Sequence, residues 1–376
     1  MARKTRDTKA TLRKHSVDDK SDDMPAFIRI LFPETDDKYE PLVDGLLLQH
    51  GIYKDIMEVL EELFEIDSAF LGEHCVLLLG ESRLGKTRLL AEFVAAHLPT
   101  RTPEGLIMPV VYVEVPEKPT IRSLAAAILS AFGEEPLKGE TADELLKRIA
   151  TLAKNTGVRV ICLDDLHHFT DQRGGTVQYE LTEWLKRLVI QMRVALVISG
   201  LERSEAAIRR NEQLYNRFDA KLQLRRFDWR KDYDRKQFAK IVRGVYLSLE
   251  QEFTLPPLDE NGLFQWYVAC AGRIGFIVKI SRRAIKIARK QKTKNITREI
   301  LLAAWMRSVF NSSDIPTNQR PFSDMFSWKD EKDTINDVLK IGREAAPRED
   351  GKKSKSRGSK AARKEAVREA FRKKSS

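Results

Sequence analysis

The chain lacks any apolar run near the roughly 18 residues of a membrane span. Its N-terminus is charged and has no apolar stretch of the secretory type, so the expected location is the cytoplasm, with no membrane partner. Cysteine is scarce: Cys75, Cys162 and Cys270 are the only three in 376 residues, and no paired spacing joins them. That excludes a disulfide or cysteine-metal framework and leaves reduced, buried thiols as the expected state. No internal repeat is present. Acidic residues are few at one end only, for residues 351–376 hold 11 Lys or Arg against two Glu. Residues 1–23 hold seven basic residues against five Asp, so the two ends carry nearly all of the net +11. The remainder is close to neutral, and any nucleic-acid surface on it must be a local patch that composition does not reveal.

What is present is organised around Cys75–Leu90, CVLLLGESRLGKTRLL. Gly80, Glu81, Ser82, Arg83, Leu84, Gly85, Lys86 and Thr87 fit the phosphate-loop pattern G-x-x-x-x-G-K-[ST] without a mismatch. The flanks suit it: a buried strand ends at Gly80, and Leu89, Leu90, Phe93 and Val94 follow at helical spacing. Glycines at both ends let successive N–H groups point at one anion, and the helix N-terminus adds partial positive charge. In such a loop Lys86 reaches the outer phosphates and Thr87 holds Mg2+. Absence of an Asn-Lys-x-Asp segment disfavours a guanine nucleotide, so ATP is the expected ligand.

Hydrophobic residues make up 42% of the chain, ample for one large or two medium domains. Residues 1–23 read as a flexible arm. Residues 24–228 begin with a helical lead-in and then alternate strands with helices, which predicts an α/β fold with a five-stranded parallel sheet. The expected strands are Val76–Leu79, Ile107–Val115, Val158–Leu163, Val194–Ile198 and Lys221–Leu224. Thr141 and Glu144 form a capping-box pattern ahead of one helix. Residues 229–310 are helical throughout, with four helices near 233–251, 259–270, 273–290 and 297–310, and predict a small all-helical lid domain. Residues 311–376 are a weakly patterned extension ending in a basic, disordered tail.

A carboxylate ending an apolar strand is the expected partner of a phosphate loop, because magnesium needs an anionic ligand beside the nucleotide. Asp164 takes that place, and Asp165 is positioned to orient or deprotonate the attacking water. Ser199 ends the next strand, where its hydroxyl either contacts the γ-phosphate or water or simply caps the strand. Arg217, in Asn-Arg-Phe, is either an arginine reaching into a neighbouring subunit's site or a solvated surface side chain. His167 and His168 lack the spacing of a metal site.

Gly80–Thr87, the segment Val160–His168, Val197–Gly200 and Glu212–Phe218 with the later Trp229 together resemble the TniB/TnsC family of AAA+ transposition regulators, found in Tn7-like and CRISPR-associated transposons. The resemblance covers roughly residues 40–310. It implies an AAA+ P-loop ATPase that assembles as a ring or helical filament on double-stranded DNA, answers to a target-selector protein and recruits transposase subunits. Hydrolysis then disassembles the homo-oligomer. Carried over by position, Lys86 and Thr87 become the nucleotide and magnesium ligands, Asp164 and Asp165 the acidic pair, and Arg217 the arginine finger. Arg273 corresponds to a second nucleotide sensor, and Lys118, Thr120 and Arg122 to DNA contacts. Two departures stand out: Asp165 replaces the usual Glu, which implies slow, partner-stimulated hydrolysis, and Arg83-Leu84 replaces smaller loop residues. The alternatives are an AAA+ replication initiator or loader, and a slowly hydrolysing nucleotide-dependent adaptor.

Overall fold

The computed structural model describes residues 40–46, 48–117, 119–170, 175–309 and 319–327, with Phe27 and Ile335. The expected arm 1–23, Lys118 and the tail 347–376 lie outside the described residues. All described residues fall in the unit Met1–Val338.

In chain order the first elements are α1 (Pro41–Asp44), α2 (Gly51–Glu65), β1 (Cys75–Leu79), α3 (Lys86–Ala96), β2 (Thr100–Thr102), β3 (Gly105–Ile107) and β4 (Val110–Glu114). They are followed by α4 (Ile121–Ala131), α5 (Ala142–Thr156), β5 (Val160–Asp164), α6 (His167–Thr170), α7 (Gly175–Met192) and β6 (Ala195–Gly200). Next come α8 (Ser204–Ile208), α9 (Glu212–Tyr215) and β7 (Phe218–Gln223). The C-terminal region is helical: α10 (Asp232–Leu249), α11 (Glu260–Cys270), α12 (Ile274–Lys290) and α13 (Arg298–Met306).

Five strands form one parallel sheet in the order β4-β5-β6-β1-β7. β1, β5 and β6 are buried at every position, which requires cover on both faces and explains their unbroken apolar runs. β7 instead alternates half-buried and exposed residues, as an edge strand does. It begins three residues before the expected Lys221. The expected single strand Ile107–Val115 is two elements: Ile107 closes an antiparallel β2–β3 hairpin, and β4 starts after Pro109. Proline has no N–H to give a ladder, so the sheet strand can begin only beyond it.

Local signals set the helix ends. Thr141 and Glu144 form the reciprocal capping box expected of them, and Gly157 ends α5 in the left-handed conformation at φ 66°. Thr120 caps α4 with Ser123 in the reciprocal position. All three cysteines are free and buried, and burial pushes the Cys75 and Cys270 thiols up to about 12, which keeps them protonated. No single helix among the described residues is long and apolar enough to cross a membrane.

The C-terminal helices are tied to the sheet by charge as well as packing. Arg225, just beyond β7, forms a two-pronged ion pair with Asp234 of α10, one arm at 2.9 Å, and Asp234 also accepts from the Asp228 N–H at 3.0 Å. Burial raises the Asp234 pKa, but the Arg225 hydrogen bond and charge outweigh it, so the carboxyl sits below its ordinary value. A depressed folded pKa contributes stability above the unfolded value near 4 and loses it as pH falls through the folded value. Asp234→Asn is expected to flatten that acid limb in urea unfolding. At neutral pH it should cost about 2 kcal/mol, less than a wholly buried pair because the Arg225 side chain is 38% exposed. An unchanged acid limb would remove this pair from the account of stability.

Candidate nucleotide-binding site

Parallel register brings the carboxyl ends of β1, β5 and β6 to one edge. Leu79 lies opposite Gly200 and Leu78 opposite Ser199, while Asp164 lies opposite Glu114 at the end of β4. The loop after β1 then turns directly into α3. Arg83 (φ 66°) and Gly85 (φ 103°) are both left-handed, which curls the loop backbone into a concave nest of N–H groups. At Gly80 an added Cβ would sit 2.3 Å from the Leu224 carbonyl, so only glycine allows β7 to pass this close.

Lys86 is 7% exposed, and its ammonium lies inside the loop, donating to the Gly80 carbonyl at 2.9 Å and the Glu81 carbonyl at 3.1 Å. Beside it, Asp164 is 1% exposed and accepts four hydrogen bonds. These come from the Thr87 hydroxyl at 2.6 Å, the Tyr112 phenol at 3.1 Å, the Ser199 hydroxyl at 2.5 Å and the Asp165 N–H at 2.9 Å. Burial and the Asp164 charge push the Tyr112 pKa far up, so the phenol keeps its proton and remains a donor. Thr87 and Asp164 offer hard oxygens at the base of the loop. That donor set suits Mg2+, which takes one or two protein oxygens and completes its shell with phosphates and water. Among the described residues no cluster of three or more His, Cys, Asp or Glu competes as a metal cage.

Asp165 follows in a left-handed conformation, φ 60°, with its carboxylate 3.5 Å from the His167 imidazole. Burial and then the Asp164 charge raise its pKa. Glu114, one strand over, is raised as well, by burial and then by Asp165 and Asp164. Two carboxyls of elevated basicity therefore flank the rim of the loop. His167 and His168 open the short helix α6, with rings 4.4 Å apart.

Above the loop, Glu81 is held between two buried arginines. Arg226, 9% exposed, meets both Glu81 oxygens through Nε at 3.0 and 2.9 Å, and Arg273, 3% exposed, reaches the same carboxylate. Burial works to raise the Glu81 pKa, yet the Arg226 hydrogen bond and the two positive charges hold it below the ordinary range. Burial and the charge of Arg226 push the Arg273 pKa down in turn. Two cations thus share one carboxylate beside a phosphate loop, leaving an excess of positive charge where an anion would enter. The same edge of the loop is pinned to α12: the Gly275 N–H donates to the Arg83 carbonyl at 2.9 Å, and the Arg83 guanidinium lies 5.4 Å from the Phe276 ring centre.

The structure brings Gly80–Thr87, Asp164, Asp165, Ser199 and Arg273 together. Ser199 is wholly buried and its hydroxyl is bonded to Asp164, so it positions that carboxylate. Arg217 lies elsewhere, at the opposite end of β1: its carbonyl accepts from the Cys75 N–H at 2.7 Å and its guanidinium donates to the Gly72 carbonyl at 2.5 Å. It is therefore the full length of a five-residue strand, about 16 Å, from the loop of its own chain. Thr120 is engaged in capping α4, and the Arg122 Nε donates to the Glu140 carbonyl at 2.7 Å. Sequence reasoning missed Tyr112, Glu114 and Arg226. Glu114 was readable as a carboxylate ending an apolar strand, whereas Tyr112 and Arg226 carried no spacing signal.

Residues 45–229 match the model of a family described as Bacterial TniB protein. Over that span the chain is similar to the TniB family. Among solved structures, the Cdc6p protein of Pyrobaculum aerophilum is 14% identical with a TM-score of 0.53, covering 75% of this chain and 76% of that one. The ORC2 protein of Aeropyrum pernix, solved as ADPNP-ADP complexes, is 14% identical with a TM-score of 0.52, covering 74% and 75%. Both likenesses are of fold, and with the TniB match they make the sheet an AAA+ P-loop architecture. No curated protein sequence matches the chain.

Removing the negative partner of the two arginines should sharpen the site's appetite for anions. Glu81→Gln is expected to bind a fluorescent ATP analogue several-fold more tightly, because Arg226 and Arg273 no longer have a competing carboxylate. The nucleotide-free variant should also melt at a lower temperature, since buried cations have lost their partner. Weaker analogue binding would show instead that Glu81 supports the nucleotide.

Proposed function

We propose that the chain is an ATP-dependent, DNA-binding AAA+ regulator of transposition. It oligomerises on duplex DNA when ATP is bound, recruits transposase subunits, answers to a target-selector protein and leaves the DNA on hydrolysis. The reading takes residues 24–228 as the nucleotide-binding domain and 229–310 as its lid. The observation that carries it is the separation of Arg217 from its own chain's phosphate loop. A loop with Lys86, Thr87 and Asp164 assembled while Arg217 sits at the far end of β1 is half of a site, and a second copy offering its β1 and β7 start would bring the other half.

In this site the loop N–H groups and Lys86 bind the phosphates of ATP, for which Lys86 must leave the Gly80 and Glu81 carbonyls. Thr87 and Asp164 would hold Mg2+, which supplies charge neutralisation at the phosphates when bound. Asp164 is kept in place by Tyr112 and Ser199. Asp165 accepts the proton of the attacking water, and Glu114 is near enough in register to hold that water. Arg273 contributes charge from the lid once it exchanges Glu81 for phosphate, and Arg217 of the adjoining copy stabilises the transition state. Lys118, Thr120 and Arg122 contact the DNA backbone.

Electron microscopy of the protein with duplex DNA, with and without a non-hydrolysable ATP analogue, tests this directly. Rings or filaments are expected only with the analogue, and their absence in both conditions overturns the proposal. Lys86→Ala should abolish assembly. Asp165→Asn should assemble yet turn over ATP at least about 100-fold more slowly, the lower end of the usual range for a lost general base. Since the base must be deprotonated and the Asp165 pKa is raised, the ATPase rate of the unaltered protein should fall as pH drops toward that raised value. That acid limb should lie above the ordinary aspartate range, and its persistence in Asp165→Asn would assign the role to Glu114.

A further inference from the structure

Residues 24–350 are neutral overall, yet within them residues 273–298 hold ten Lys or Arg and no Asp or Glu. They comprise α12 and the turn into α13. At 3.6 residues per turn the cations of α12 fall into two sectors. Arg282 and Arg289 form one, and it is spent on ion pairs to Asp44, Glu40 and Glu252, which hold the segment 40–46 against the helix.

Lys279, Arg283, Lys286 and Lys290 form the other, at i, i+4, i+7 and i+11, within about 60° of one another and turned away from the buried Ile277, Ile280, Ala284 and Ala288. Arg283, Lys286 and Lys290 are exposed, and Lys292 and Lys294 continue the exposed cations past the helix end. Among the described residues Arg283, Lys290, Lys292 and Lys294 have no ion-pair partner. Lys279 donates to the Ser308 carbonyl at 2.7 Å, and burial, then the charges of Arg83 and Arg283, push its pKa down. The cations of this ridge therefore repel one another, and like charges at i, i+4 weaken a helix.

We infer that this ridge docks the phosphate backbone of a duplex nucleic acid. Its length, 11 residues at 1.5 Å each or about 16 Å, spans several phosphates of one strand. Charge alone suffices for such a partner, whereas a protein partner would need a buried aromatic or aliphatic anchor within the patch. The ridge has none, because no apolar residue of α12 is exposed. The same fact removes a bilayer, which requires an inserted apolar face. The inference rests on the proposed function for the duplex as partner, and it locates a contact surface apart from the 118–122 segment and from the nucleotide loop.

The test uses the full chain carrying Arg283→Ala, Lys290→Ala and Lys294→Ala, with a labelled random-sequence duplex of about 30 base pairs and a non-hydrolysable ATP analogue. Fluorescence anisotropy across about 50–300 mM salt gives affinity and its salt dependence. The variant is expected to lose tenfold or more in affinity at about 100 mM salt. Its log–log salt slope should be shallower by about 2 to 3, the release of counterions from three phosphates. DNA-free ATPase and melting temperature should match the unaltered protein. A control with Arg283→Lys, Lys290→Arg and Lys294→Arg should restore both affinity and slope. If the unaltered protein binds duplex and the alanine variant shows the same slope, the ridge inference is wrong while the proposed function stands. If the unaltered protein binds no duplex, the proposed function fails and the inference falls with it.

Discussion

Four hydrogen bonds converge on the Asp164 carboxylate, and the rest of the site depends on them. An ionised carboxylate buried to this degree is stable only when its lone pairs are satisfied, and each donor here comes from a different place in the fold. Thr87 brings the start of α3, Tyr112 brings β4, Ser199 brings β6, and the Asp165 N–H brings the turn after β5. One buried charge thereby fixes the edge of the sheet at which the phosphate loop opens. Losing any one donor would leave Asp164 short of a partner and also loosen the element that supplied it.

The second constraint is the sharing of Glu81 by Arg226 and Arg273. It joins the phosphate loop to the segment after β7 and to the start of α12, so that the loop and the C-terminal helices are mechanically coupled through charge. Gly275 adds a backbone bond to Arg83 at the same contact. A phosphate group is a better partner for two guanidinium groups than a single carboxylate is, because it offers more oxygens and more charge. In the proposed function, nucleotide state and the position of the helical region would be linked by competition for the same two arginines. α12 is tied to the loop at one end through Arg273 and Gly275 and carries its exposed basic ridge along the rest of its length.

Much of the architecture was legible because fully buried strands must be continuously apolar. Val76–Leu79, Val158–Leu163 and Val194–Ile198 could be recognised for that reason, and the phosphate loop could be placed between the first of them and a helix. The β2–β3 hairpin was not legible, since Ile107 is as apolar as the strand beyond it and only Pro109 marks the break. Ser199 was legible as a strand end but not as a support for Asp164, because the distance that decides the matter is set by inter-strand register. Arg226 was hidden for a related reason: its importance arises from Glu81, which lies 145 positions away.

By itself the sequence determined the parallel α/β sheet, the phosphate loop, the acidic pair and the helical character of the C-terminal region, because each is written in contiguous residues with a local physical cause. Tertiary structure alone decided which charges meet. It set Arg217 at the far end of its own β1, placed Arg226 and Arg273 on one carboxylate, and divided the basic residues of α12 into a paired sector and an exposed ridge. Those outcomes depend on parallel register and helix docking, which bring together residues that no sequence spacing relates.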